Sequence, residues 1–147
     1  MKILVINGPN LNMLGLREPE KYGTLSLQEI EKEIFSYSFE LGVDVECYQS
    51  NHEGDIIDKI QNARLSFDGI VLNAGGYTHT SVAIRDAISS VTIPCVEVHM
   101  TNIHAREEFR HKSLISPVCI GQICGFGKNS YILGMKAVCD YLKNEQK

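Results

Sequence analysis

Glu97 and His99 are two residues apart in IPCVEVH (93–99). If that run is a strand, both side chains leave the same face of the sheet. A carboxylate within a buried strand is costly unless it is paired. A histidine held by such a carboxylate can give or take a proton near neutral pH. Two other readings stay open, a structural buried pair and a pair of metal ligands. No acid cluster or HxxxH motif stands nearby to complete a metal site.

Further polar groups gather in NGPNLN (7–12), NAGGYTHTS (73–81) and HMTN (99–102), rich in amides, hydroxyls, glycine and histidine. Turns also favour Asn and Gly, so Asn10 reads equally as turn chemistry or as a site residue. At Met100, Thr101 and Asn102 a strand hands over to an expected helix. Free backbone N–H groups there would suit a substrate carboxylate, and a side-chain cap by Thr101 or Asn102 is compatible with that. In HAREEFR (104–110), Arg106 and Arg110 are four apart and would share a face of the same helix. Asp86 lies on the helix after NAGG, where a solvated acid is the commoner reading. LGLREPEKYG (14–23) carries Arg17 and Tyr22 in a stretch too polar for a core.

The elements that must position these groups follow from hydrophobic pattern. KILVIN (2–7) and GIVLN (69–73) are short continuous apolar runs, as expected of strands buried on both faces. VDVECYQ (43–49) alternates like an edge strand. IPCVEVH is a fourth strand opened by Pro94, and VCIGQIC (118–124) a fifth. Between them the spacing predicts helices over 26–41, 53–64, 81–90, 102–112 and 129–143. The first has a capping box at Ser26 and Glu29 and a stop at Gly42. Strand–helix alternation repeated five times implies an α/β fold, a parallel sheet covered on both faces. Five such units suggest a flavodoxin-like, three-layer sandwich of strand order 2-1-3-4-5. Its ligand crevice lies beyond the carboxyl ends of strands 1 and 3.

The chain of 147 residues suits one domain, with 44% apolar and 22% charged residues. A net charge of −4 speaks against nucleic acid or an anionic membrane as partner. No apolar run approaches a membrane span, and Met1 leads straight into a strand, so a cytoplasmic location is expected. Five cysteines, an odd number without CxxC spacing, read as reduced, buried thiols.

GPNLNMLGLREPEKYG, NAGGYTHTSVAIRD and EVHMTNIHAREEFR, with Pro94 ahead of the last, closely resemble the type II 3-dehydroquinate dehydratases of the shikimate pathway. The resemblance extends in order and spacing over nearly the whole chain. It implies a flavodoxin-like fold and dehydration of 3-dehydroquinate to 3-dehydroshikimate through an enolate, without metal or organic cofactor. By it, Tyr22 matches the base, His99 the general acid, and Arg17 a loop arginine that stabilises the transition state. Asn73, His79, Asp86, Met100, Thr101 and Arg110 match substrate-binding positions, the carboxylate being expected at Asn73 and the Met100–Thr101 backbone. Asn10 matches a residue that helps hold a water against the enolate oxygen. Arg106 and Glu97 match supporting positions near the tyrosine and histidine. The resemblance further implies a homo-oligomer, trimers packed into a dodecamer, in which Asp86 reaches a neighbouring subunit's site. Thr101 stands where many relatives have Ser, and NAGG replaces a commoner NPGA form.

Residue chemistry is compatible with these roles. A free tyrosine of pKa about 10 is phenolate in only about one molecule in a thousand at neutral pH. One or two close arginines in a dry site can lower that pKa by about 2 units, and Arg17 and Arg106 are the natural candidates. The segment from about 15 to 24 then reads as a lid. Two competing functions are a non-catalytic FMN- or anion-binding module and a metal-dependent lyase using Glu97 and His99. Against the first, GPNLN stands where a Ser/Thr-rich phosphate loop would be.

Overall fold

The computed structural model of the chain describes every residue except Arg17 and Lys147, and for Lys21 and Tyr22 the backbone alone. The expectations placed on Arg17 and on the Tyr22 side chain, and with them the closed lid, therefore lie outside the described residues.

The apolar runs become β1 (Lys2–Asn7), β2 (Asp44–Gln49), β3 (Gly69–Asn73), β4 (Cys95–His99) and β5 (Gly121–Cys124). All four pairings are parallel and the order is β2-β1-β3-β4-β5, as the alternation predicts. The helices are α1 (Pro19–Tyr22), α2 (Leu27–Leu41), α3 (Glu53–Ala63), α4 (Val82–Ser90) and α5 (Asn129–Glu145).

Pleating sends alternate residues of each strand to opposite cores. Ile3, Val5, Val71, Val96 and Val98 pack with Ile30 and Ile34 of α2 and with Met135 and Val138 of α5. Leu4, Ile6, Ile70 and Leu72 pack with Ile56 and Ile60 of α3 and with Ile84 and Ile88 of α4. Apolar contact on both faces is why β1 and β3 read as unbroken hydrophobic runs. β2 is an outer strand, and from Val45 onward its residues are only half-buried.

The α2 capping box is present as expected. The Glu29 N–H donates to Ser26 Oγ (3.2 Å) and the Ser26 N–H to Glu29 Oε2 (2.8 Å), while Gly42 ends the helix at φ 69°. Two expectations about the elements need correction. No α-helix spans 102–112; that segment holds two short 3₁₀ turns, Ile103–Ala105 and Glu108–Arg110. The break is at Arg106, which is extended at φ −107°, ψ −166°. β5 begins at Gly121 rather than 118, because Ser116–Val118 is a 3₁₀ turn with Pro117 near its start. Within the polar segment 14–23, Pro19 opens a turn of helix that Gly23 closes by donating its N–H to the Pro19 carbonyl (2.8 Å).

The cysteines are free thiols, but only Cys95 and Cys139 are buried; Cys47, Cys119 and Cys124 are partly exposed. Burial, aided by nearby carboxylates, still pushes the Cys47 thiol up to about 12, and burial pushes Cys124 up to about 11, so both stay protonated and unreactive. Among the described residues no helix is long and apolar enough to cross a membrane.

The ends of β1 and β3 approach closely at Gly8, whose N–H donates to the Asn73 carbonyl (2.8 Å). A Cβ at Gly8 would stand 2.5 Å from the Ala74 carbonyl oxygen, a backbone atom that cannot swing away. Gly8→Ala is therefore expected to destabilise the protein by about 1–3 kcal/mol, as overpacking does. Thermal unfolding would show it, and an unchanged midpoint would mean that the two loops yield freely.

Candidate active site

The carboxyl ends of β1, β3 and β4 open into one pocket, at the switch point the strand order predicts. His99 lines it from the end of β4. Its Nε2 lies 3.1 Å from Glu97 Oε2, on the same face of the strand. An ionised carboxylate only accepts, so Nε2 carries the hydrogen and Nδ1 is the nitrogen left for chemistry.

Glu97 is fully buried and has further donors. The Ser113 hydroxyl donates to its Oε1, and the side-chain amide of Gln122 to its Oε2. Gln122 arrives there because it is the register partner of Glu97 on β5. Burial alone would raise the Glu97 carboxyl, but the bond and charge of His99 with the Ser113 and Gln122 bonds hold it below the ordinary range. A carboxylate so occupied is an orienting group for His99 and a poor metal ligand. Among the described residues no three His, Cys, Asp or Glu side chains come together to hold a metal ion.

Because the folded-state pKa of Glu97 is depressed, its ionised form stabilises the fold above the unfolded pKa of about 4.3. That contribution is lost as pH falls through the folded value. The wild type should thus lose more thermal stability than Glu97→Gln on acidification below about pH 5. Equal slopes in the two proteins would show that Glu97 is not the carboxylate that matters there.

His79 enters from the 3₁₀ turn Gly75–His79, its ring 6.4 Å from that of His99 and nearly parallel to it. Its Nδ1 donates to the Lys112 carbonyl (2.8 Å), which leaves Nε2 as an acceptor in the neutral ring. Burial, chiefly, lowers its pKa against the pull of that bond, with His99 and Arg110 adding to the effect, so His79 is neutral at physiological pH. Asn10 has both of its possible characters: a left-handed turn residue at φ 70°, and part of the pocket wall.

Met100 and Thr101 line the pocket as well. They precede a short 3₁₀ turn rather than the expected helix, and Asn102 is the cap, its Oδ1 accepting from the His104 N–H (3.1 Å). No acceptor among the described residues takes the backbone N–H of Met100 or of Thr101. The two donors line the pocket without a helix behind them.

Arg106 and Arg110 both reach the pocket, though not from one helical face. Arg106 Nη1 donates to Thr101 Oγ1 (3.3 Å), and the Arg110 Nε donates to Glu107 Oε2 (2.5 Å). Asn73 lines the pocket with its amide engaged from both sides. Asp86 is exposed on α4 and is not part of this pocket wall. Sequence reasoning missed the apolar wall of Leu11, Leu14 and Ile103. It also missed Ser113 and Gln122, whose role appears only once β4 and β5 are in register.

Fold and pocket define a class: a doubly wound α/β protein equipped for proton transfer on a small anion. Residues 1–139 match the family model described as Dehydroquinase class II. A Geotalea daltonii protein named 3-dehydroquinate dehydratase is 56% identical, covering 97% of this chain and 99% of its own. A Trichodesmium erythraeum protein of the same name is 57% identical over 97% of this chain and 95% of its own. The crystal structure of the type II dehydroquinase from Butyrivibrio crossotus superposes with a TM-score of 0.93 at 54% identity, covering 95% of this chain and 97% of that one. The chain belongs to the class II dehydroquinase family.

Proposed function

We propose that this protein dehydrates 3-dehydroquinate to 3-dehydroshikimate, as the names of its relatives state for them. Tyr22, made acidic by Arg17 and Arg106, removes the proton beside the ring ketone. The enolate that forms is steadied by Arg17 and by a water held at Asn10. His99, oriented by Glu97, then protonates the departing β-hydroxyl. The substrate carboxylate binds at Asn73 and the Met100 and Thr101 N–H groups, while His79 and Arg110 hold the rest of the ring. No organic cofactor or metal takes part. Asp86 completes the site of a neighbouring subunit in a homo-oligomer, four trimers packed into a dodecamer.

The observation that carries this reading is the Glu97–His99 pair beside a pocket with two arginines and two backbone donors that no described residue engages. Such an arrangement fits β-elimination from a small carboxylic acid better than cofactor binding. The test is the ultraviolet absorbance of the conjugated product formed from 3-dehydroquinate. Turnover that survives exhaustive chelation supports the reading, and no turnover by well-folded protein sinks it.

A further inference from the structure

Tyr131 lies on α5, fully buried, on the side of the sheet opposite the Glu97–His99 face. Its hydroxyl nonetheless touches the site. Asn7 and Asn73 are register partners at the carboxyl ends of β1 and β3, and the Tyr131 oxygen bridges them. Asn73 Nδ2 donates to Tyr131 Oη (2.9 Å), and the Tyr131 hydroxyl donates to Asn7 Oδ1 (2.6 Å). On the other side, the Gly75 N–H donates to Asn73 Oδ1 (3.2 Å).

These bonds have only one workable direction. A backbone N–H can only donate, so Asn73 must turn its oxygen toward Gly75 and its nitrogen toward Tyr131. Tyr131 Oη then accepts that hydrogen and must send its own to Asn7, which presents its oxygen. Asn7 Nδ2 is left buried without a partner among the described residues, so Asn7 would not choose this orientation for its own sake. Burial raises the Tyr131 phenol well above its ordinary pKa, so the hydroxyl keeps the proton it must donate.

We infer that Tyr131 is a positioning residue: by bridging Asn7 and Asn73 it fixes the orientation of the Asn73 amide, so that the remaining Nδ2–H is what Asn73 offers the substrate carboxylate. The inference rests on the dehydratase reading for the identity of that ligand. Without the bridge, nothing on the α5 side holds the Asn73 nitrogen, and the amide and the Gly75–His79 turn tied to it lose their common orientation. The effect falls on substrate binding, because Asn73 meets the carboxylate and not the atoms that react.

Tyr131→Phe keeps the ring and removes only the hydroxyl. It should raise KM about tenfold while kcat changes less than about threefold. In an Asn73→Ala background the same change should add less than about twofold in kcat/KM, because the group it acts through is gone. A merely structural tyrosine would lower the melting temperature without this KM selectivity. It would also keep its full effect in the Asn73→Ala background, and either result overturns the inference. Asn7→Ala, which leaves α5 untouched, should reproduce the KM-selective loss and serves if Tyr131→Phe does not fold. If the parent protein fails to turn over 3-dehydroquinate, the dehydratase reading falls on its own. The crystal structure of Tyr131→Phe then decides the positioning role. An Asn73 amide rotated away from Gly75 supports it, and an unmoved amide refutes it.

Discussion

Tyr22→Phe should fold like the parent and lose about 10²–10⁴-fold in kcat, the usual worth of a positioned general base. The substitution keeps the aromatic ring and removes only one oxygen. A phenol of pKa about 10 is a weak base source at neutral pH, and lowering that value by about 2 units needs roughly 2.7 kcal/mol of selective anion stabilisation. Arg106 lines the pocket wall beside Thr101, and in the proposed mechanism it supplies part of that stabilisation. Leu14, at the start of segment 14–23, lines the same pocket. Steady-state kinetics with the far-ultraviolet spectrum as a folding control would measure the effect. The loss should sit in kcat with KM little changed, because a base acts only as the proton is transferred. A near-normal rate would mean that another group takes the proton.

His99→Ala is the second large effect, again about 10²–10⁴-fold in kcat. Here the two halves of the reaction separate. In the proposed mechanism, the enolate should still form with Tyr22 and Arg17 intact, and be reprotonated from solvent. Without His99 the β-hydroxyl must leave without a positioned acid. In deuterated water, His99→Ala should therefore exchange the substrate's α-proton faster than it releases product. Equal loss of exchange and turnover would contradict the division of labour between tyrosine and histidine. His99 is buried at the end of β4 where it lines the pocket, so an unfolding midpoint close to the parent's is the control that separates lost catalysis from lost packing.

Much of this organisation was legible in the residues. The period-two and continuous apolar runs of β1 to β4 marked the strands, and the strand–helix alternation left the 2-1-3-4-5 order as the natural arrangement. Glu97 and His99 could be paired before any coordinates, because a strand places residues two apart on one face. The segment 102–112 shows where such reasoning fails. Arg106 and Arg110 have helical spacing, yet Arg106 is extended and its carbonyl accepts from His111 Nε2 (2.9 Å) instead of from a helical N–H. Both arginines reach the pocket by loop geometry, which no periodicity encodes. β5 was misplaced by three residues for a similar reason: VCIGQIC is apolar throughout, and only pairing with β4 shows that the ladder starts at Gly121.

Local chemistry in the chain was enough for strands, caps and the Glu97–His99 pair, because each depends on residues close in sequence. Contacts across the fold decided the rest. Ser113 and Gln122 hold Glu97 from 16 and 25 residues away, and Tyr131 reaches Asn7 and Asn73 across 124 and 58. A hydrogen bond needs its partners within about 3 Å. At such separations along the chain, only the pairing of β5 with β4, the packing of α5 on the sheet and the path of the loop through Ser113 bring them there.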